Sequence, residues 1–448
     1  MLKPESSDYI LAQRRMYSLY VMQSRAIPAS TDGLKAGGRR ALWTARDGHK
    51  YKTATLAGAT MPIHPHAECS SSINTLAAPY GNNIPLFKGD GAFGTLINPT
   101  AYGASRYTSV STSTFADEVL FKDIEIVPMM ENYDSTLEEP VHFLPLVPTV
   151  LLNPSEGIAV GFATNILPRS LDDLINTQLL HLKKGKLPVD ITPKFTPLNA
   201  EAYLREETER GVAYYFKGTY ETKDTSTLII TSLPYGQTHD KVVSKLDDLM
   251  EKGLVLDFTD KSKDKINIEV KFKRGYLKTV EEPVLMKMMG LADRQIENLN
   301  VLDFTGQVIW STTPIDLIKQ FTDWRLTWYV TRYERLRDLL QIDLQRYYDI
   351  RTAIKNNVGG VARKIQSRAE LKELLEEMGI VSLDYIADLP VYRFTEEERL
   401  KNEKRIEEAE AQMKEYKALL SSEDRRREVY TAELQDVLSK YKKGYYTK

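Results

Sequence analysis

Arg106-Tyr107, inside the run Gly-Ala-Ser-Arg-Tyr-Thr (103–108), sets a phenol beside a permanent cation. A tyrosine hydroxyl with a pKa of about 10 is mostly protonated at neutral pH, so it needs a base or electrostatic help to become a nucleophile. An adjacent guanidinium can stabilise the phenolate, and also the pentacoordinate phosphorus it would attack in a phosphodiester. The chain has 25 tyrosines, so the pair carries weight only through its surroundings. Arg25 stands upstream, followed by His64-Pro65-His66, two imidazoles able to donate to phosphate or relay a proton. Zinc would need about four ligands there, and only Glu68 and Cys69 lie close, so no metal site is expected.

A basic stretch follows Arg25. Between Asp32 and Lys52 there are six Lys/Arg (Lys35, Arg39, Arg40, Arg46, Lys50, Lys52) against two Asp (Asp32, Asp47). Such a local excess can bind phosphate although the whole chain carries a net charge of −2. A solvated helix face would have the same composition. Acid concentrates further on, around 117–139 and 396–410. With Cys69 as the single cysteine, no intrachain disulfide can form and a reducing compartment is expected. The N-terminus lacks a signal-peptide core, and no stretch approaches the roughly 20 apolar residues of a membrane span. The composition predicts a soluble cytoplasmic protein with no membrane partner.

The elements that must position these residues fall into three regions, and 448 residues give room for about three domains. The first, to about residue 165, is rich in Gly, Ser, Thr and Pro, with a helical run over Asp8–Ser24 and a loop over Lys88–Gly94. From 166 to 310 strands and helices alternate. Strands are expected at Thr227–Ile230 and Ile266–Phe272, and an amphipathic helix over Asp240–Lys252 with Val243, Leu246 and Leu249 on one face. From Pro314 onward the pattern is long helix: Leu317, Phe321, Trp324 and Trp328, then Leu336, Leu340, Leu344 and Tyr347. Gly359-Gly360 interrupts it, and a smaller helical segment runs to about Ala387. Thr395-Glu396-Glu397-Glu398 reads as a capping box opening a last helix. Its stripe is Ile406, Ala409, Met413, Tyr416 and Leu420. After Glu423 and Arg427 the stripe resumes at Tyr430, Leu434, Val437 and Tyr441. This heptad spacing predicts an antiparallel coiled coil with a knob at its tip, although one face of a helical bundle has the same period. The fold class expected is α+β and multidomain.

Six ordered segments resemble one family. They are Ser24-Arg25-Ala26-Ile27-Pro28 leading to Asp32-Gly33-Leu34-Lys35 and Arg39-Arg40; His64-Pro65-His66; Gly89-Asp90-Gly91-Ala92-Phe93-Gly94; Arg106-Tyr107; Gly157-Ile158-Ala159-Val160-Gly161; and Ile230-Thr231-Ser232-Leu233-Pro234-Tyr235. The series resembles the breakage-reunion subunit of type IIA DNA topoisomerases, the gyrase A and topoisomerase IV family, and covers nearly the whole chain. The length, and the end just after the helical hairpin, look most like the short phage-type subunits of that family.

The resemblance implies a winged-helix domain over 1–165, an α/β tower over 166–310, and a coiled coil with a C-gate dimerisation domain over 311–448. Tyr107 would form a 5′-phosphotyrosyl link, assisted by Arg106, Arg25, His64 and His66. Lys35, Arg39, Arg40 and Lys52 would grip phosphates on the surface, and Ile158 would wedge between base pairs. Two tyrosines are needed for two strands, which implies a homodimer closed at the coiled-coil tips. The family's magnesium-binding Asp-x-Asp is absent from this sequence, as is any nucleotide-binding fingerprint. Mg2+ and ATP are therefore expected on partner subunits carrying Toprim and ATPase domains. With nothing after Lys448, relaxation or decatenation is expected rather than negative supercoiling.

Some positions depart from the family pattern. Ala67-Glu68-Cys69 replaces Gly-Asp-Ser, Gly37-Gly38 replaces Val-His, and Gly89-Asp90-Gly91-Ala92 replaces Gly-Gln-Gly-Asn. Cys69 and Ile73 fall where bacterial members anchor quinolones, so a weak quinolone response is expected. A non-catalytic DNA clamp with the same fold is the competing reading. A winged-helix transcription factor would leave the long helical hairpin unexplained.

Overall fold

The computed structural model describes residues 4–65, 69–159 and 161–446, and its architecture is mixed α/β. The chain divides into two compact units, Met1–Arg325 with Thr431–Lys448, and Leu326–Tyr430.

In the first unit, helix Pro4–Val21 runs into a π-helical turn, Met22–Ala26, that carries Arg25. The basic stretch begins at a turn into helix Ala36–Thr44. Asp32, fully buried, holds that turn. Its carboxylate accepts from the Leu34 amide at 3.1 Å, the Arg39 guanidinium at 2.7 and 2.9 Å, and the Phe143 amide at 3.0 Å. Its carbonyl accepts from the Thr149 hydroxyl at 2.7 Å. Gly33 next to it has φ +69°, and a Cβ there would lie 2.5 Å from the Val150 nitrogen. Only glycine fits that approach.

A three-stranded antiparallel sheet follows, with Ser109–Thr112 between Tyr51–Lys52 and Phe87–Asp90. The expected loop Lys88–Gly94 thus begins as a strand, with Lys88 opposite Ser111 and Asp90 opposite Ser109. Its glycines read as a turn, but the ladder partner lies some twenty residues away and overrides that local preference.

Two four-stranded antiparallel sheets come next. One contains Ala292–Glu297, Gly211–Lys217, Ala200–Thr208 and Lys194–Phe195; the other contains Thr219–Thr222, Thr227–Ser232, Ile268–Phe272 and Val255–Asp260. Helix His239–Glu251 packs Val242, Leu246 and Leu249 into the core that Leu228, Ile230, Ile268 and Val270 share. Val243 is only half-buried, so the apolar stripe is centred one residue earlier than its sequence spacing suggested. Arg169, fully buried, forms a two-pronged ion pair with Glu297, one contact at 2.6 Å, while Glu297 also accepts from the Leu167 amide at 2.9 Å.

The second unit is an antiparallel helical hairpin with a small domain at its tip. Helix Pro314–Lys355, from Leu326 onward, is the outgoing arm and Glu396–Ser421 the returning one. Between them, the Asn402 side-chain amide donates to the Tyr347 carbonyl at 2.9 Å and the Tyr348 hydroxyl donates to Glu410 at 2.6 Å. Tyr333 and Tyr416 pack with ring centroids 5.6 Å apart. The tip has its own core of Ile350, Ala353, Val358, Leu375, Ile380 and Ile386.

Three local readings are corrected here. The outgoing helix ends before Asn357, whose φ of +51° is left-handed, while Gly359-Gly360 lie inside a one-turn helix, Val358–Val361. The capping box does not form: the Thr395 hydroxyl donates to the Tyr392 carbonyl at 2.9 Å, and Glu398 accepts from Arg393 at 2.6 Å. Nor is the last helix continuous. It breaks at Ser422, which is extended, and restarts as Glu423–Lys442. Arg426 caps the break by donating to the carbonyls of Leu419 and Leu420 at 2.7 and 2.8 Å, and Leu419 rather than Leu420 is the buried residue. No helix among the described residues is long and apolar enough to cross a membrane.

The chain's last described residues are held by one carboxylate. Glu118 accepts from Lys440 at 2.9 Å, Tyr445 at 3.0 Å and Tyr446 at 3.1 Å, and Phe115 packs edge-on against Tyr446. Burial acts to raise the Glu118 pKa, but the three hydrogen bonds and the Lys440 charge outweigh it and leave it below the usual carboxylate value. A depressed folded-state pKa makes this stabilisation present above the ordinary carboxylate range and lost as pH falls through the lowered value. Hydrogen-exchange protection factors at residues 440–446, corrected for the intrinsic pH dependence of exchange, are expected to fall on acidification in the native chain, and to be low at neutral pH already in Glu118→Gln. Equal protection of the two proteins at neutral pH would contradict the lock.

Candidate active site

Tyr107 sits at the apex of a loop held from both sides. Helix Thr53–Thr60 begins directly after the strand Tyr51–Lys52, and its first amides lack partners within the helix. Thr53 donates to the Thr108 carbonyl and Ala54 to the Ser105 carbonyl, each at 3.1 Å. Arg106-Tyr107 lies between those two anchors. Within the loop, the Tyr107 and Thr108 amides donate to the Ala104 carbonyl at 2.8 and 3.3 Å. The phenol is left open, with Tyr107 70% exposed. The Arg106 guanidinium carbon is 4.8 Å from the centre of the Tyr107 ring, a cation–π contact that places the charge beside the phenol. Lys52, exposed, donates to the Tyr107 carbonyl at 3.4 Å. Nearby, Lys50 pairs with Asp90, and its hydrogen bond and charge hold the Asp90 carboxyl below the ordinary range.

Arg25 and His64 meet on a residue that sequence reasoning missed. Tyr20, on the first helix, shares a 3.0 Å hydrogen bond with His64 Nε2 and lies under the Arg25 guanidinium at 5.9 Å. The His64 ring also packs against Tyr133 at 5.8 Å. The only hint of Tyr20 in the sequence is its place five residues before Arg25 on a helical run. His66 lies outside the described residues.

Ile158 is 88% exposed, on the hairpin of Ser155–Ala159 and Phe162–Ile166. The hairpin is pinned by paired backbone hydrogen bonds between Asn165 and Asn298 at 3.1 and 3.0 Å. It also presses on the Arg25 turn: a Cβ at Gly157 would lie 1.9 Å from the Ala26 carbonyl oxygen, so the contact demands glycine. Ile158 therefore stands exposed on a hairpin that the fold holds in place.

The basic residues separate by burial. Lys35 is half-buried beside a cleft of about 480 Å³ and donates to the Glu156 carbonyl at 2.5 Å. Burial lowers its pKa, partly offset by the Glu156 charge. Arg39 and Arg40 depart from the surface position expected of them. Arg39 is engaged by buried Asp32, and Arg40 by buried Glu139 at 2.5 and 2.9 Å. Their donors face the interior because each carboxylate would otherwise be buried without a counter-charge. Cys69 and Ile73 are likewise buried, with the Cys69 thiol 3.3 Å from the Gly37 carbonyl. Among the described residues, no three His, Cys, Asp or Glu gather as a metal site.

Residues 25–435 match the family model of the DNA gyrase/topoisomerase IV A-subunit. The chain belongs to that family. It is 30% identical over 417 residues to the DNA topoisomerase medium subunit of Enterobacteria phage T4, covering 89% of this chain and 91% of that one. It is 29% identical over 439 residues to the DNA gyrase A-subunit of Lawsonia intracellularis, covering 90% of this chain but only 53% of the relative. The chain therefore spans nearly all of the phage relative but about half of the bacterial one. Its fold matches the crystal structure of the Plasmodium falciparum topoisomerase II DNA-binding, cleavage and re-ligation domain at a TM-score of 0.78 and 21% identity, over 95% of this chain and 64% of that one.

The buried ion pairs and exposed Lys52 make opposite forecasts. Arg39→Ala and Arg40→Ala are each expected to lower the unfolding free energy by about 3–5 kcal/mol, because each strands a buried carboxylate. Lys52→Ala should change it by less than about 0.5 kcal/mol. Urea denaturation followed by circular dichroism measures both; a near-neutral Arg40→Ala would overturn the inward assignment.

Proposed function

We propose that this chain is the DNA-cleaving and religating subunit of a multisubunit, ATP-dependent type II DNA topoisomerase. The observation that carries the reading is an exposed phenol on a loop gripped at both ends, with Arg106 against its ring. The Tyr107 oxygen attacks a backbone phosphorus in duplex DNA. The phenol gives up its proton as a P–O bond to tyrosine forms, the bond to the 3′ oxygen breaks, and that oxygen takes a proton and leaves as a 3′-hydroxyl. Resealing is the reverse attack, and because the tyrosyl ester keeps the phosphodiester energy, it needs no nucleotide. Arg106 and Lys52 face the charge that builds on the phosphate oxygens. Arg25 and His64, joined through Tyr20, form a second polar cluster for the same backbone, with His66 beside it in sequence.

Ile158 inserts between base pairs and bends the duplex, while Lys35 and Lys52 contact phosphates without reading bases. Arg39 and Arg40 serve instead as the braces of the surface that carries them. Two strands require two tyrosines, so the working form is a homodimer, with the tip of the helical hairpin as the exit gate. Exposed Val381, Val391 and Tyr392 on that tip suit such a contact. Mg2+ and ATP belong to partner subunits with Toprim and ATPase domains, and no step above is routed through either. The metal would supply further charge stabilisation at the scissile phosphate. The assembled enzyme relaxes or decatenates DNA in the cytoplasm. Buried Cys69 and Ile73 offer quinolones no polar anchor.

In the assembled enzyme, Tyr107→Phe is expected to abolish strand passage while leaving DNA affinity within about twofold, since the lost hydroxyl serves chemistry rather than binding. Unchanged strand passage would instead favour a non-catalytic clamp. Ile158→Ala should keep the nucleophile but reduce DNA bending, read by fluorescence transfer between duplex ends. A bend equal to that of the parent protein would remove the wedge.

A further inference from the structure

Next to the nucleophile lies a buried polar pair that the chemistry above does not use. The Thr53 and Thr108 hydroxyl oxygens are 2.8 Å apart, and Thr53 and Thr108 are 0% and 2% exposed. Thr53 is the first residue of the helix that grips the loop, and Thr108 is the residue after Tyr107. Thr108 is fixed on its other side as well. Cβ atoms built at Gly91 and Gly103 would lie 3.2 and 3.1 Å from its methyl carbon. Its methyl group therefore packs between two glycines while its hydroxyl faces Thr53.

We infer that the Thr53–Thr108 hydroxyl pair is a positioning device for the proposed cleavage reaction, setting where Tyr107 presents its oxygen. The inference rests on the nucleophile reading given above. Backbone hydrogen bonds from Thr53 and Ala54 fix the loop's height over the helix, but amide–carbonyl contacts tolerate sliding and tilting. A third contact between side chains, at the residue bonded to Tyr107, removes that freedom. It works only as a pair, because each hydroxyl is buried with the other as its partner, and deleting one strands the other. In-line attack is sensitive to such freedom: a misplacement of about 1 Å at the reacting atom costs on the order of 100-fold in rate. Neither threonine touches the reacting atoms, so both act through Tyr107.

The test uses the full chain assembled with its partner subunits and magnesium, and compares T53V, T108V, T53V/T108V and T53S. Valine keeps the shape and removes the hydroxyl; serine keeps the hydroxyl. T53V and T108V are expected to slow single-turnover cleavage by about 10- to 100-fold while DNA Kd stays within about twofold. T53S should retain a rate within about threefold of the parent, because the hydroxyl pair survives. The double variant should lose less than the product of the two single losses, since no stranded hydroxyl remains. Parent-like rates in both single variants, parallel loss of affinity and rate, or a T53S defect equal to that of T53V would each overturn the inference. If T53V melts below the assay temperature, the same rate gap is read between T53A and T53S. Failure of the underlying reading looks different: the parent chain would form no adduct, or Tyr107→Phe would still form one, whatever the threonines do.

Discussion

Two backbone amides at the start of one eight-residue helix hold the loop on which the proposed chemistry depends. The opening amides of any helix lack acceptors within it and must find them elsewhere. Here the acceptors are the carbonyls of Ser105 and Thr108, so the need of the helix for partners becomes the loop's attachment. The strand pairing of Lys52 with Ser109 continues the same contact into a sheet. The backbone around Tyr107 is fixed at both ends while its side chain is left in water, the arrangement required of a group that must meet a large external substrate.

Behind this loop, buried ion pairs act alongside apolar packing. Asp32 with Arg39, Glu139 with Arg40, Glu297 with Arg169 and Asp123 with Arg325 are all withdrawn from solvent. Such pairs add little net stability, because desolvation opposes their attraction, but removing one partner is costly. They fix geometry. Asp32 joins the turn before helix Ala36–Thr44 to the segment at Phe143 and Thr149, and Glu297 joins a sheet edge to the start of the Leu171–Leu182 helix through Arg169. The close approach of Gly157 to Ala26 ties the Ile158 hairpin into the same frame. Exposed Tyr107 and Ile158 thus stand on elements that buried contacts tie to the rest of the fold.

Much of this was legible in the sequence, and the rest was hidden for identifiable reasons. The strand expected over Ile266–Phe272, which begins two residues later at Ile268, and the helical hairpin announced themselves through residue type and period. The distinction between Arg39, Arg40 and Lys52 did not. All three belong to one basic run, and only carboxylates brought close by the fold, one of them 99 residues away, decide which cations turn inward. Tyr20 was concealed because its partners, Arg25 and His64, come from separate segments. Thr53 and Thr108 looked like ordinary threonines until the sheet set them side by side. Local helix signals failed where a stronger contact competed: Arg393 takes Glu398 from the expected capping box, and Arg426 stabilises a break that heptad spacing passes over.

The central claim concerns one oxygen atom. Quenching the assembled enzyme on duplex DNA with denaturant, digesting both polymers and sequencing the nucleotide-bearing peptide by mass spectrometry tests it most directly. The account predicts a 5′-phosphate ester on Tyr107 and a free 3′-hydroxyl on the opposing DNA end. An ester on any other residue, or no ester with magnesium and the partner subunits present, would contradict it.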